Sequence, residues 1–148
     1  MSIQKKKIIC CILILLNLVF IWGNSLLPGE VSGQISGGLL SWLKSWMGNL
    51  PVGAFLLRKL GHFTEFACLG LLCGWLSLLL GERGPHRFTA PLLPGLLAAC
   101  ADETIQRFVE GRCSSLVDVW IDTAGVFAGI CLLYVLRAAI LYLKEKRT

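Results

Sequence analysis

Charged residues are scarce in this sequence, and histidine is almost absent. Only 16% of the 148 residues are Asp, Glu, Lys or Arg, two are histidine, and 55% are hydrophobic. Soluble domains carry about 25% charged residues, so this composition and the mean hydropathy of +0.72 predict an integral membrane protein. Internal repeats and low-complexity tracts are also lacking, and we therefore expect one domain over residues 1–148.

The motifs of several enzyme classes are missing as well. The sequence has no nucleophile elbow and no phosphate-binding loop, and its seven cysteines show no CxxC or Cys/His metal spacing. Six cysteines lie in apolar runs, where we expect small buried side chains; Cys113 lies in a polar connection and is the one expected to react. No cofactor and no metal are predicted.

Four apolar runs approach the roughly 20 residues that a helix needs to cross a bilayer. We predict an all-α protein with transmembrane helices at about 6–23, 54–80, 88–106 and 116–140. The third run is the weakest because its apolar part is short. The first follows three lysines, as in a signal peptide, but no cleavage pattern follows it, so a retained anchor is predicted.

The distribution of basic residues predicts that both termini are cytoplasmic in a multi-pass cell-membrane protein. The inner side then holds Lys5, Lys6, Lys7, Arg83, Arg87, Lys144, Lys146 and Arg147, against Lys44, Arg58, Lys59, Arg107 and Arg112 outside. Topology and anionic lipid headgroups account for the net charge of +5. No nucleic-acid partner is expected.

The connection between the first two runs, residues 24–51, is too polar to cross a membrane. Its second half, "LLSWLKSWMGNL", places Leu39, Trp42, Leu43 and Trp46 at helical spacing. Tryptophan favours the membrane boundary, so we predict an amphipathic helix on the outer surface.

Glycine steps suggest how two of the spans pack. GxxxG pairs occur at Gly70 and Gly74 and at Gly125 and Gly129. They predict a close approach of the second and fourth spans, although membrane helices are rich in glycine in any case.

Ionisable residues interrupt three of the predicted spans near one end. At about 1.5 Å per residue, Glu65, Asp102 and Asp122 lie roughly 22 to 25 Å above the inner charged residue of their own span. They therefore share one layer near the outer edge of a hydrocarbon core about 30 Å thick. Helical spacing gives each span a polar face: Arg58, His62 and Glu65; Asp102 and Gln106; Asp118 and Asp122.

Three interpretations of this layer remain open. Intramembrane ionisable groups are functional candidates by default, and a His62–Glu65 pair suits general acid–base chemistry. Binding of a divalent cation is weakly indicated, because a lone histidine among carboxylates lacks a specific ligand spacing. The layer is also compatible with an ion-pair lock that only fixes helix order.

Three segments carry a resemblance to a known family. "LRKLGHFTEFACLGLL" (57–72), "ADETIQRFVEGR" (101–112) and "DVWIDTAGVFAG" (118–129) resemble the VanZ-like membrane proteins, named for an accessory protein of teicoplanin resistance. The resemblance covers about residues 8–140. It implies a polar set of Lys59, His62, Glu65, Asp102, Glu103, Gln106, Arg112, Asp118 and Asp122. Phe66 stands where many members have tyrosine, and Asp122 where many have asparagine, so a mechanism that needs those groups is not implied.

Together these features predict an outer-leaflet cavity that binds a membrane lipid or a lipid-linked envelope precursor. The resemblance implies that this binding alters teicoplanin susceptibility. The candidate catalytic residues are His62, Glu65, Asp102 and Glu103; the candidate ligand-binding residues are Arg58, Lys59, Gln106, Arg112, Asp118 and Asp122. The alternatives are a hydrolase or transferase acting on an envelope lipid and a structural subunit. Transport would need a homodimer, because four spans are few for one chain.

Overall fold

A computed structural model of the chain describes residues 1–48 and 51–147. These residues form five α-helices and, within those ranges, no β-strand. The helices are α1 (Ile3–Ser25), α2 (Gly29–Met47), α3 (Ala54–Leu80), α4 (His86–Gln106) and α5 (Leu116–Glu145). The predicted all-α class is confirmed.

Short local signals set the helix ends that matter for the site. Ser2 and Ser115 precede α1 and α5, and their hydroxyl oxygens accept the backbone N–H groups of Lys5 and Val117, at 3.3 and 3.2 Å. α3 ends at Gly81, whose φ of 85° places it in the left-handed region that glycine tolerates. Hydrogen bonds of Asn24 with Glu65, of Ser25 with Gln106 and of Glu103 with Ser115 show that α1 and α4 end near where α3 and α5 begin. We call this end of the bundle the site end.

Three of the described helices, α1, α3 and α5, are long and apolar enough to cross a membrane. Large apolar side chains on their surfaces, such as Leu16, Val19 and Val135, are exposed, as is typical of surfaces that face lipid. α4 is not among the three. It contains two prolines and ends in a buried polar stretch that includes Asp102 and Glu103.

The proline at position 91 is accommodated by a neighbouring helix. Proline has no N–H, so the carbonyl four residues earlier, that of Arg87, loses its helical donor. The hydroxyl of Tyr134 on α5 donates to this carbonyl at 3.1 Å. The side chain thus satisfies a backbone group within α4 and ties α4 to α5.

Glycine allows α3 and α5 to come into backbone contact. A Cβ on Gly70 would overlap the carbonyl of Val126, and one on Gly129 would overlap the carbonyl of Ala67. The predicted close approach of the second and fourth apolar runs is therefore confirmed, and it aligns the polar residues at the site ends of α3 and α5.

The apolar core lies between α1, α3, α4 and α5. Its buried members are Ile21, Phe66, Leu69, Cys73, Ala98, Ala99, Val126 and Ile130. α2 buries none of its residues and begins at Gly29, ten positions before the predicted stretch that opens at Leu39. Asn49 and Leu50, at the end of that stretch, lie outside the described residues.

Candidate functional site

A cavity of about 380 Å³ opens at the site end, between α3, α4, α5 and the turn that joins the last two. It is lined by eight of the ten predicted site residues: Arg58, Lys59, His62, Glu103, Gln106, Arg112, Asp118 and Asp122. Phe55, Cys113, Ser115 and Ile121 also line this cavity. We call it the polar cavity.

The other two predicted residues lie beside His62, at the base of the polar cavity. Nδ1 of His62 is 3.9 Å from a carboxylate oxygen of Asp102 and 4.0 Å from one of Glu65. Asp102 is completely buried, whereas His62 and Glu65 each keep less than a fifth of their side-chain surface exposed. All ten predicted residues are therefore brought together.

A buried chain of hydrogen bonds supports Asp102 from behind. Gln106, one turn later on α4, donates its side-chain amide to Asp102 at 2.6 Å and to the hydroxyl of Ser25 at 3.1 Å. Ser25 is the last residue of α1 and is fully buried. Spacing of four residues on one helix makes the Asp102–Gln106 bond possible, and the bond to Ser25 attaches this pair to α1.

Glu103 faces the start of α5 and not the His62 side of the cavity base. Its carboxylate accepts the backbone N–H of Ser115 at 2.6 Å. Ser115 caps α5, and the N-terminal end of a helix favours negative charge. The contact fixes the direction in which the chain enters α5, so Glu103 has a structural role in addition to any role toward a ligand.

Arg112 binds the C-terminal end of α1. Its guanidinium donates to the carbonyls of Leu27 and Asn24, at 3.1 and 2.9 Å. Leu27 lies just beyond the end of α1, and the carbonyl of Asn24 also accepts the N–H of Leu27 at 3.2 Å. A cation is favourable at this end of the helix dipole. Burial, more than the nearby Arg58, lowers the pKa of Arg112, although a guanidinium stays charged in proteins. At least two of its five N–H donors are engaged by backbone.

Lys59 and Asp118 form an ion pair across the mouth of the polar cavity. Both side chains remain partly exposed, at 23% and 30%. Lys59 and Arg58 also lie over the ring of Phe55, at 4.8 and 5.8 Å from its centre. The two cations of α3 are thus held at the rim of the polar cavity.

Glu65 faces a second cavity of about 180 Å³ between α2 and α3. The amide of Asn24 donates to Glu65 at 2.8 Å. Apolar side chains line much of this second cavity: Leu27, Ile35, Leu39 and Leu57. Arg58, His62 and Arg112 line both cavities, so a polar chamber and an apolar groove share one wall. We call the second cavity the apolar groove.

Sequence reasoning missed three partners of the site. Asn24 and Ser25 lie immediately after the first apolar run, and Ser115 precedes the fourth. The polar pair Asn24–Ser25 after an apolar run indicates that the helix ends there. Nothing in its spacing indicates that it bonds Glu65 and Gln106, which are 41 and 81 residues away.

Four polar atoms at the base are buried and find no hydrogen-bond partner among residues 1–48 and 51–147: Nδ1 of His62, Oε2 of Glu65, Oδ1 of Asp102 and Oδ1 of Asp122. Buried polar atoms are paired in the great majority of cases. A cluster of three carboxylates and an imidazole with unused acceptors suits a donor-rich or cationic group. One ligand atom each from His62, Asp102 and Asp122 lies within 4.8 Å of the others.

Comparison with known proteins adds a family. A family model described as VanZ/LLP1 matches residues 8–137 of the chain. No curated protein matches the chain, and no solved structure does. The matched range contains α2, α3 and α4 in full and every residue of both cavities.

Proposed function

This chain belongs to the VanZ/LLP1 family and is a membrane protein, and from that premise we propose that it binds an amphiphile of the cell envelope. The ligand is a membrane lipid or a lipid-linked precursor, and its binding alters susceptibility to glycopeptides that carry acyl chains, such as teicoplanin. The observation that carries the proposal is the shared wall of the polar cavity and the apolar groove.

The membrane placement that we propose has four spanning helices and both termini in the cytoplasm. α4 joins α1, α3 and α5 as the third span. Its 21 residues reach about 31 Å at 1.5 Å per residue, enough for a core of about 30 Å. Its polar end is turned into the bundle, which explains why hydropathy alone undervalues it. The site end then lies in the outer leaflet.

We assign α2 to the outer membrane surface. Trp42 and Trp46 are exposed at 57% and 77%, and their rings lie 6.1 Å apart. Exposed tryptophans on a helix that buries none of its residues are typical of the interface between headgroups and acyl chains. In this position α2 covers the apolar groove from the lipid side.

The headgroup of the ligand occupies the polar cavity. Arg58, Lys59 and Arg112 contact its phosphate or carboxylate groups. His62, Glu65, Asp102 and Glu103 orient the headgroup or exchange protons with it; Gln106, Asp118 and Asp122 complete the lining. The volume of about 380 Å³ lies within the range of small-molecule sites, about 300 to 1,000 Å³.

The acyl or prenyl chain lies along the apolar groove. Leu27, Ile35, Leu39 and Leu57 line it, and burial of each methylene contributes about 0.8 kcal/mol. A ligand that places its charge beside Arg58 and His62 can enter the groove without leaving the shared wall. This arrangement favours an amphiphile over a soluble anion.

An ion-pair lock without a ligand is less well supported. Arg112 contacts two backbone carbonyls, and Lys59 pairs with Asp118 at the rim. Asp102 and Asp122 at the base are left to other partners. A lock that left buried carboxylates without a cation would destabilise the bundle.

A binding experiment tests the proposal directly. The purified chain in detergent is titrated with a fluorescent anionic phospholipid, phosphatidylglycerol, and with phosphatidylcholine as the neutral comparison. Replacement of Arg58 by Gln removes a charge-assisted contact of about 1.5 to 3 kcal/mol, so we expect affinity for the anionic probe to fall at least about tenfold. His62→Ala is expected to weaken it too, whereas His86→Ala, at the exposed start of α4, serves as the matched control. Equal affinity for all four proteins would contradict the proposal.

A cellular experiment tests the link to glycopeptides. Teicoplanin susceptibility is compared in cells that produce equal amounts of the wild type, Glu103→Gln or Glu110→Gln. Glu110 is exposed in the turn between α4 and α5, so its substitution makes the same chemical change outside the cavity lining. We expect Glu103→Gln to lose the effect of the wild type on susceptibility and Glu110→Gln to keep it. Full retention by Glu103→Gln would remove the cavity from this phenotype.

A further inference from the structure

Three helices each contribute a potential metal ligand to the base of the polar cavity. His62 comes from α3, Asp102 from α4 and Asp122 from α5, and one ligand atom of each lies within 4.8 Å of the other two. Donors that surround one cation at about 2.0 to 2.2 Å lie about 3 to 4 Å apart. Small side-chain rotations therefore bring these three to coordination distance.

The two aspartates are buried and incompletely satisfied. Asp102 is 0% exposed and Asp122 is 1% exposed, and an oxygen of each has no hydrogen-bond partner. Nδ1 of His62 is also without one. Buried charges in proteins are paired or coordinate metals. A cation between these atoms would therefore stabilise them.

Neighbouring basic side chains are directed elsewhere. Lys59 pairs with Asp118, and Arg112 donates to carbonyls at the end of α1. In residues 1–48 and 51–147, neither Asp102 nor Asp122 forms an ion pair with a lysine or an arginine. The charge balance at the base is thus left to His62, which lies 3.9 Å from Asp102 and 4.0 Å from Glu65, and to a group that is not a side chain.

We propose that His62, Asp102 and Asp122 form a binding site for a divalent transition-metal ion, of the Mn²⁺ or Zn²⁺ class. An imidazole with two carboxylates suits these ions better than Ca²⁺ or Mg²⁺, which prefer oxygen ligands alone. Glu65, whose free carboxylate oxygen is 4.0 Å from Nδ1 of His62, lies beside this set. Gln106 holds Asp102 in place from behind, as partners in the outer shell of metal ligands commonly do.

The ion has an open side toward the polar cavity. His62 and Asp122 line that cavity, whereas Asp102 lies behind them. A coordination position that faces the cavity accepts an oxygen of a phosphate or carboxylate group. This second role rests on the proposed function, but metal binding by the three side chains does not.

The test measures metal binding by the purified full chain in detergent, without added lipid. Protein stripped with EDTA and dialysed is titrated with MnCl₂, and free Mn²⁺ is measured by electron paramagnetic resonance. The Zn²⁺ content of the purified protein is measured by mass spectrometry before the protein is stripped. We expect one ion per chain for the wild type. Asp122→Asn and His62→Gln each remove a ligand, so affinity should fall at least about tenfold, the lower bound for the loss of an outer-shell partner. Glu110→Gln and His86→Ala remove a carboxylate and an imidazole at exposed positions and should bind as the wild type does.

Thermal unfolding provides a second readout that does not depend on measuring the free metal. Saturating Mn²⁺ should raise the Tm of the stripped wild type, because a ligand that binds only the folded state stabilises it, and should leave that of Asp122→Asn unchanged. No binding by the wild type, or equal binding by Asp122→Asn, would overturn the metal site and leave a carboxyl cluster that holds protons instead.

The two proposals fail separately. Binding of Mn²⁺ without any binding of phosphatidylglycerol retains the metal site and rejects the amphiphile. Tight binding of phosphatidylglycerol by EDTA-stripped protein that takes up no metal does the reverse.

Discussion

At the scale of single residues, Arg112 holds the turn between α4 and α5 against the end of α1. Its two contacts to carbonyls use the planar fork of the guanidinium. Gly29 reinforces the same junction, since its N–H donates to the carbonyl of Glu110 at 2.9 Å. Arg112 is therefore expected to contribute to the stability of the fold as well as to the binding of a charged ligand.

Arg112→Lys should lower the Tm of the chain in detergent. Lysine retains the charge but presents a single ammonium group, so one of two charge-assisted hydrogen bonds is lost, at about 1.5 to 3 kcal/mol. Arg107→Lys is the control, because Arg107 is exposed five residues earlier. Equal Tm values for the two variants would show that the contacts to α1 contribute nothing to stability.

The ion pair between Lys59 and Asp118 should be weakly coupled. Because both side chains are partly exposed, we expect a coupling free energy below about 1 kcal/mol. A double-mutant cycle of Lys59→Met and Asp118→Asn, followed by unfolding in denaturant, measures it. A coupling of several kcal/mol would favour the ion-pair lock.

Residue types and helical spacing were enough to predict which side chains gather at the base. Glu65, Asp102 and Asp122 are brought to one level because each lies on a helix at a similar distance from its inner end. Their partners were not predictable in this way. The bonds from Asn24 and Ser25 depend on where α1 ends relative to α3 and α4, and that crossing is determined by packing.

At the scale of helices, the backbone contact of α3 with α5 fixes the distance between two walls of the polar cavity. Gly129→Ala should lower the Tm, because the new Cβ would overlap the carbonyl of Ala67 and overpacking costs about 1 to 3 kcal/mol. Gly23→Ala on α1 meets no atom within 4 Å, so helix propensity alone should leave its Tm equal or higher. A Gly129→Ala protein as stable as the wild type would contradict the close approach.

The contact of α4 with α5 makes a second prediction for helix packing. Tyr134→Phe removes the hydroxyl that donates to the carbonyl of Arg87 and leaves a partly buried acceptor without this partner, at up to about 1 to 3 kcal/mol. The Tm should fall accordingly. Tyr142 is 58% exposed, so Tyr142→Phe should not change the Tm. Equal losses of Tm in the two variants would show that the hydrogen bond of Tyr134 makes no specific contribution.

The sequence predicted the positions of the helices better than their extents. α3 has the predicted bounds, 54 to 80, because Gly53 and Gly81 flank a largely apolar run that is charged only near its first end. α2 is longer than expected, since its glycine- and serine-rich first half lacks an apolar period. α4 was the weakest prediction because its polar end, which suggests solvent by composition, is buried against α1 and α3.

At the scale of the whole molecule, the placement in the membrane is a prediction that one cysteine can test. Cys113 lies exposed in the turn between α4 and α5, which we place outside the cell. In intact cells, a membrane-impermeant maleimide should label the wild-type protein but not the Cys113→Ser protein. Labelling that appears only after the cells are opened would reverse the topology.

If the amphiphile binds as proposed, the wall shared by the polar cavity and the apolar groove should favour a ligand whose headgroup and hydrocarbon chain are covalently joined. For a ligand that fills both, the second contact forms within the same molecule and gains from a high effective concentration. A headgroup and a hydrocarbon tail supplied as separate compounds gain nothing of this kind. The protein would then bind intact amphiphiles, in which the charged headgroup and the hydrocarbon chain are covalently joined, far more tightly than it binds their separate cleavage products.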